Sequence, residues 1–228
     1  MDPALEPYNN APNPDKQALK RVGQIVRRRL AADPGAQKFP VEGAEIYGIS
    51  DFLGPEECDR FIKIVDDNAR PSTLYEHGQG SEFRTSYSGD VDRGDPFVKM
   101  IERRIDDCLG MTPAFGEAVQ GQRYTAGQEF RAHNDWFWTK AKYWDGEVVR
   151  GGQRSWTAMI YLNDVEEGGT TDFVRLGLSI PPQRGVMLVW NNALPDGTPN
   201  IDTLHAGMPV IRGVKYVITK WYRTRRWA

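Results

Sequence analysis

Two histidines and an aspartate stand where they could close around one metal ion. His133 lies two residues before Asp135 in Phe130-Arg131-Ala132-His133-Asn134-Asp135, and His205 follows far downstream in Leu204-His205-Ala206-Gly207. Two imidazoles and one carboxylate on one face of a metal, with its other positions open, suit Fe(II) oxygen chemistry outside a haem. Ten residues after His205 comes Lys215, inside a β-patterned run. A basic residue there is what such a site needs to hold a dicarboxylate co-substrate. Taken singly, each signal is weak. His133-x-Asp135 also reads as a surface turn, and His205 as a buried, hydrogen-bonded histidine.

The elements that must position these groups follow from periodicity. Alternate residues of a strand share a face, so a strand carrying His133 and Asp135 aims both at one point. In Val214–Tyr222 the same rule groups Lys215 with Val217, Thr219 and Trp221. An ammonium on that apolar face is buried and needs an anionic partner. Lys220 has the opposite parity and is expected in solvent. Further strands are expected over Val119–Tyr124, Trp156–Leu162, Val186–Trp190 and Met208–Ile211.

Helices come earlier in the chain. Asp15 is placed to cap one that runs to about Leu30, with Leu19, Val22, Ile25, Val26 and Leu30 at helical spacing. Its basic residues, Lys20, Arg21 and Arg27 to Arg29, read as a solvated face. A second helix starts near Pro55, and a third spans Asp95 to Leu109 and stops at Gly110. Between these two, Tyr75 to Gly94 is a long Gly-, Ser- and Asp-rich stretch of the kind that carries function. His77 within it reads as a surface residue. Helices first and short strands after suggest α+β, with helices covering one face of a β-sandwich or jelly roll.

Composition narrows the class. The chain has 228 residues, 39% hydrophobic and 26% charged, with a formal net charge of −2. Such a balance suits one globular domain and gives no reason to expect a nucleic-acid partner. Residues 1–15 hold four prolines and read as a flexible arm. Residues 16–228 form the domain, with a helical part at 16–115 and a β core at 116–228. No signal peptide or membrane span is visible, so a reducing cytoplasm is the expected location.

Together these residues resemble the prolyl 4-hydroxylase branch of the Fe(II)/2-oxoglutarate dioxygenases. The matching stretches are Gln122-Arg123-Tyr124-x-x-Gly127-Gln128, His133-x-Asp135, Gly151-Gly152-Gln153-Arg154, Tyr161-Leu162-Asn163 and Glu167-Gly168-Gly169-Thr170-Thr171-x-Phe173. Gly185-x-x-Leu188-x-Trp190-Asn191, Leu204-His205-Ala206-Gly207-x-Pro209-Val210, Lys215 and Lys220-Trp221 complete the series. Thr170 stands where the family usually has Glu, and Met208 where it often has Cys. The resemblance implies a double-stranded β-helix (jelly-roll, cupin-like) core with N-terminal helices packed on one face. It implies iron at His133, Asp135 and His205, and 2-oxoglutarate held by Lys215 and Tyr124 in a pocket lined by Thr171 and Trp221. It further implies O2 as co-substrate, ascorbate as a candidate reductant, and a prolyl residue of a peptide or protein as substrate. Arg84 and Ser86, in the family's substrate-loop segment, and Arg154 are the implied substrate contacts.

The aromatic stretch from Trp136 to Arg150 adds Trp136 as a candidate substrate wall, or else packs over the barrel mouth. That stretch keeps a second reading open, the same oxygen chemistry on another residue, a free amino acid or a small molecule. A third, a non-catalytic sensor of metal and 2-oxoglutarate, would be marked by a lost ligand, and none is lost.

Overall fold

A computed structural model of the chain describes residues 15–68, 70–71 and 84–228. Most of the expected arm, and residues 75–83 of the Gly-rich stretch with His77 among them, lie outside the described residues. Three helices come first: α1 at Lys16–Ala32, α2 at Pro55–Asn68 and α3 at Pro96–Leu109. The last is delimited as its sequence expects. The Asp95 carboxylate accepts from the N–H of Phe97, and Gly110 takes the left-handed conformation that ends it.

Asp15 departs from expectation. It precedes α1 but makes no cap hydrogen bond with its side chain. Its carboxylate is buried and accepts from the N–H of Gln153 and from Arg225. A charged partner 210 positions away outcompetes the local N–H groups of the first turn.

The main antiparallel sheet has eight strands. Four come from the N-terminal half: β1 (Ala36–Lys38), β2 (Ile46–Ile49), β3 (Arg70–Pro71) and β4 (Tyr87–Asp90). The others are β5 (Gln120–Tyr124), β7 (Arg154–Tyr161), β11 (Met187–Asn191) and β14 (Lys215–Arg223). The order is β1-β2-β11-β7-β14-β5-β4-β3. Facing it, β6 (Phe130–His133), β9 (Thr171–Phe173), β10 (Leu178–Ile180) and β12 (His205–Gly207) form a four-stranded sheet ordered β10-β9-β12-β6. A short pair, β8 (Glu167–Gly168) and β13 (Val210–Arg212), closes one end. This is the double-stranded β-helix, with the helices on the outer face of the larger sheet.

Period-two alternation sorts β7 and β14 between two apolar layers. Trp156, Ala158, Ile160, Ile218 and Tyr222 pack against Val26, Phe61, Ile101 and Ile105 of the helices. Met159, Tyr161 and Val217 point between the sheets, towards Phe173, Leu188 and Trp190. Gly121 is required where α2 lies on β5, since a Cβ there would come within 2.5 Å of Val65 Cγ2.

Lys220 corrects the expectation of a solvent-exposed lysine. The parity holds, but its face is roofed by α3, and the side chain is 2% exposed. Its ammonium meets Asp106 at 3.0 Å and Glu102 at 3.3 Å. Tyr222 also donates to Asp106, at 2.6 Å. The aromatic stretch likewise turns inward, with Trp136, Phe137 and Trp144 buried and a short helix, α4, at Trp144–Val149. Among the described residues no helix is long and apolar enough to cross a membrane.

Candidate metal and co-substrate site

The first imidazole ends β6, and the second begins β12 directly opposite it, since His133 and His205 are register partners. Asp135 is not on the strand, contrary to expectation. The chain bends after β6, and the aspartate enters from that bend. The ligand atoms of His133, Asp135 and His205 nevertheless lie within 4.8 Å of one another, and among the described residues no other such group of potential metal ligands occurs. Each imidazole Nε2 is 3.9 Å from a different oxygen of Asp135.

The surrounding contacts orient these atoms. His133 Nδ1 is 2.8 Å from the carbonyl of Arg131, and His205 Nδ1 is 2.9 Å from that of Thr203. A carbonyl can only accept, so both Nδ1 atoms carry the proton and both Nε2 lone pairs face inward. Burial, helped by the adjacent His205, pushes His133 down to about 3, which keeps it a neutral ligand. Burial alone would raise Asp135. The two imidazoles, Arg154 and the Thr157 hydroxyl outweigh it and hold the carboxyl below its usual value. Thr157 Oγ1 donates to Asp135 at 2.7 Å and is itself held by Asn192 at 2.9 Å. Phe130 stacks on His133 with centroids 3.6 Å apart, and Trp190 meets His205 edge-on.

A cavity partly open to solvent joins the triad to Lys215. Tyr124, Thr171, Lys215 and Trp221, the four residues expected around the co-substrate, all line it. Lys215 is 3% exposed, and its ammonium is 3.4 Å from the Thr171 hydroxyl and lies near the rings of Tyr124 and Tyr161. No carboxylate of the described residues pairs with it within 4 Å. Burial therefore lowers it to about 7, with Asp172 pulling weakly the other way. Two neutral imidazoles with one carboxylate, and an ammonium across the same cavity that no carboxylate of the described residues pairs, fit a divalent metal and a dicarboxylate.

The expected substrate residues divide. Arg84 lies over Phe130, 4.7 Å from its centroid, and donates to Ser86 and Gln120. Both Arg84 and Ser86 thus abut residues of the cavity wall. Arg154 and Trp136 are not among the residues that line the cavity. Arg154 is buried, forks onto both oxygens of Glu117 at 2.7 and 2.8 Å and lies over Trp221. Trp136 is 6% exposed and packs beside Trp138. The bend that delivers Asp135 carries Trp136 inward, whereas Arg154 starts β7. Thr157 and Asn192 went unnoticed in the sequence, and Gln122, which lines the cavity, was named there only within a matching stretch. A polar residue at an inward strand position, as Thr157 is, was the available signal.

Comparison with known proteins agrees with this geometry. Residues 119–223 match the 2OG-Fe(II) oxygenase superfamily. Two relatives come from Arabidopsis thaliana. A probable prolyl 4-hydroxylase 3 is 35% identical over 194 residues, 75% of this chain and 66% of the relative's length. A probable prolyl 4-hydroxylase 10 is 30% identical over 251 aligned positions, 97% of this chain and 84% of the relative. The chain thus spans about two thirds of the first of these relatives. Among solved structures, a viral collagen prolyl hydroxylase from Paramecium Bursaria Chlorella virus-1, in complex with 2OG, superposes with a TM-score of 0.61 at 27% identity. It covers 80% of this chain and 98% of that one. A Trichoplax adhaerens prolyl hydroxylase shares the fold, with TM-score 0.61 at 18% identity over 92% of this chain and 96% of that one.

Proposed function

The chain belongs to the 2OG-Fe(II) oxygenase superfamily, in its prolyl 4-hydroxylase-like branch, and from that premise we propose that it hydroxylates a prolyl residue of a peptide or protein, consuming 2-oxoglutarate and O2 and releasing succinate and CO2. The observation that carries the reading is the pairing, across one cavity, of the His133–Asp135–His205 triad with a buried lysine that no carboxylate of the described residues pairs. That the relatives are named for prolyl substrates supports the choice of proline.

Bound Fe(II) supplies the oxidising chemistry needed at an unactivated C–H bond, with 2-oxoglutarate as the accompanying reductant. The chain's own residues do the rest. His133 and His205 offer Nε2, and Asp135 offers a carboxylate whose second oxygen is tied to Thr157. Lys215 and Thr171 form the far wall and hold the distal carboxylate of the co-substrate. Tyr124 and Trp221 wall the space between, limiting water at the reacting centre. We assign Arg84 and Ser86 to the substrate, because Arg84 donates to Ser86 and lies over Phe130, which stacks on the metal ligand His133. Ascorbate is proposed as the reductant that restores Fe(II) after an unproductive cycle, and a reducing cytoplasm as the setting.

The test is succinate release from Fe(II)-loaded protein and 2-oxoglutarate with proline-containing peptides, alongside mass spectrometry of the peptide. Coupled succinate release with a gain of one oxygen atom on proline is expected. Coupled turnover of a free amino acid, with none on any proline peptide, would overturn the peptide assignment and leave the oxygenase chemistry standing.

A further inference from the structure

We infer that Gln153 is a positioning residue for the Asp135 carboxylate, acting through the main chain of Phe137. The inference rests on the reading of His133, Asp135 and His205 as metal ligands. His133 is fixed by the ladder between β6 and β12, and His205 by β12 between β6 and β9. Asp135 has no such support. It lies past the end of β6, in a bend, and a carboxylate on a free bend would wander by more than the ~0.5 Å that an oriented site tolerates.

The support comes from the start of β7. The side-chain amide of Gln153 grips both backbone groups of Phe137. Its Oε1 accepts from the Phe137 N–H at 2.5 Å, and its Nε2 donates to the Phe137 carbonyl at 2.8 Å. This reproduces a pair of strand hydrogen bonds with one side chain. Two residues of β7 finish the task, since Arg154 Nη1 approaches the carbonyl of Asp135 at 3.5 Å and Thr157 holds its carboxylate. The segment is therefore tied at Asp135 and again two residues later.

Gln153 is itself anchored. It is 0% exposed, and its own N–H donates to the buried carboxylate of Asp15 at 2.7 Å. Gly152 makes that approach possible. Its φ is 77°, and a Cβ there would fall 2.4 Å from Asp15 Oδ2 and 2.7 Å from Thr224 Oγ1. Packing alone does not need this arrangement, because an apolar side chain of the same length would fill the volume. Only an amide offers a donor and an acceptor at once, and it offers both to the bent segment that carries the metal carboxylate.

The test replaces Gln153 by methionine and measures Co(II) binding to the metal-free chain by calorimetry, together with the visible spectrum of bound Co(II), which reports ligand geometry. Gln153→Met should weaken Co(II) binding about 10- to 100-fold, the range found when outer contacts of metal ligands are removed, and should alter the spectrum. Tyr222→Phe, which removes a buried hydrogen bond on the far face of β14, is the control for general loss of stability. It should lower the melting temperature and leave Co(II) affinity and spectrum unchanged. If Gln153→Met does not fold, Asp15→Asn decides by the same criterion, with about a threefold loss expected because it loosens only the anchor. Unchanged affinity and spectrum in the deciding variant, or an equal loss in Tyr222→Phe, overturns the inference. Co(II) bound by the wild type but not by His205→Ala shows that the metal reading stands in that case. A wild-type chain that binds no Co(II) overturns both.

Discussion

Replacing Lys215 by methionine and following 2-oxoglutarate binding across pH tests the proposed co-substrate role quantitatively. Burial takes this ammonium from its ordinary 10.5 down to about 7, a penalty on the charged form of about 5 kcal/mol. The folded value of a base is depressed, so folding disfavours its proton. That cost is fully present below about pH 7 and vanishes as pH rises through 10.5. A bound carboxylate reverses the preference and holds the proton in place. Below about pH 7 the free protein already carries it, and affinity should be level. Above that, each binding event takes up a proton, and affinity should fall about tenfold per pH unit until the value of the complex is reached. Calorimetry on Mn(II)-loaded protein, in buffers of different ionisation enthalpy, should count about one proton taken up near pH 8.5. Lys215→Met should flatten the profile. It should also weaken binding at the acid end by about 2–5 kcal/mol, tens- to thousands-fold. A wild-type affinity that is level to about pH 9 with no proton uptake, or a variant that binds as tightly as the wild type, would refute the reasoning.

Three other outcomes follow from named contacts. His133→Ala, Asp135→Ala and His205→Ala should each abolish Fe(II) binding and turnover while the far-ultraviolet circular dichroism stays native, because the apolar layers do not depend on the metal; unimpaired Fe(II) affinity in any of them contradicts the ligand set. Thr157→Val removes the hydroxyl that fixes Asp135 and should weaken Fe(II) about 10-fold or more, as calorimetry would show. Lys220→Met leaves Asp106 buried without its cation and Glu102 with only Arg93, at 3.9 Å. It should cost about 3–5 kcal/mol in urea unfolding and leave the 2-oxoglutarate affinity of the folded fraction unchanged, so an equal effect of the Lys215 and Lys220 substitutions on that affinity would show that the two lysines share a face.

What the sequence made legible was whatever depends on local period and residue type. Alternation in Lys215-x-Val217-x-Thr219-x-Trp221 placed those side chains on one wall, and the structure has all four lining the cavity. The same alternation placed Lys220 on the other face, yet parity says nothing about what covers a face. The covering helix carried its own signal, because Glu102 and Asp106 adjoin Ile101 and Ile105 on the buried side of α3. Two acids on a buried stripe require a cation, and the strand packed beneath must supply it. Asp15 shows the opposite limit. Ahead of an apolar-periodic run its type signals a cap, and nothing local reveals that Arg225 and the N–H of Gln153 will claim it. Asp135 lies between these cases. Its identity as a ligand follows from spacing to His133, but the bend that delivers it depends on contacts from β7 that are distant in sequence. Trp136 is buried beside them, and Arg154 on β7 is engaged by Glu117. Ligand identity in this site is therefore local information. Ligand geometry is a property of the strand packed behind it, and substitutions on that strand are where the two come apart.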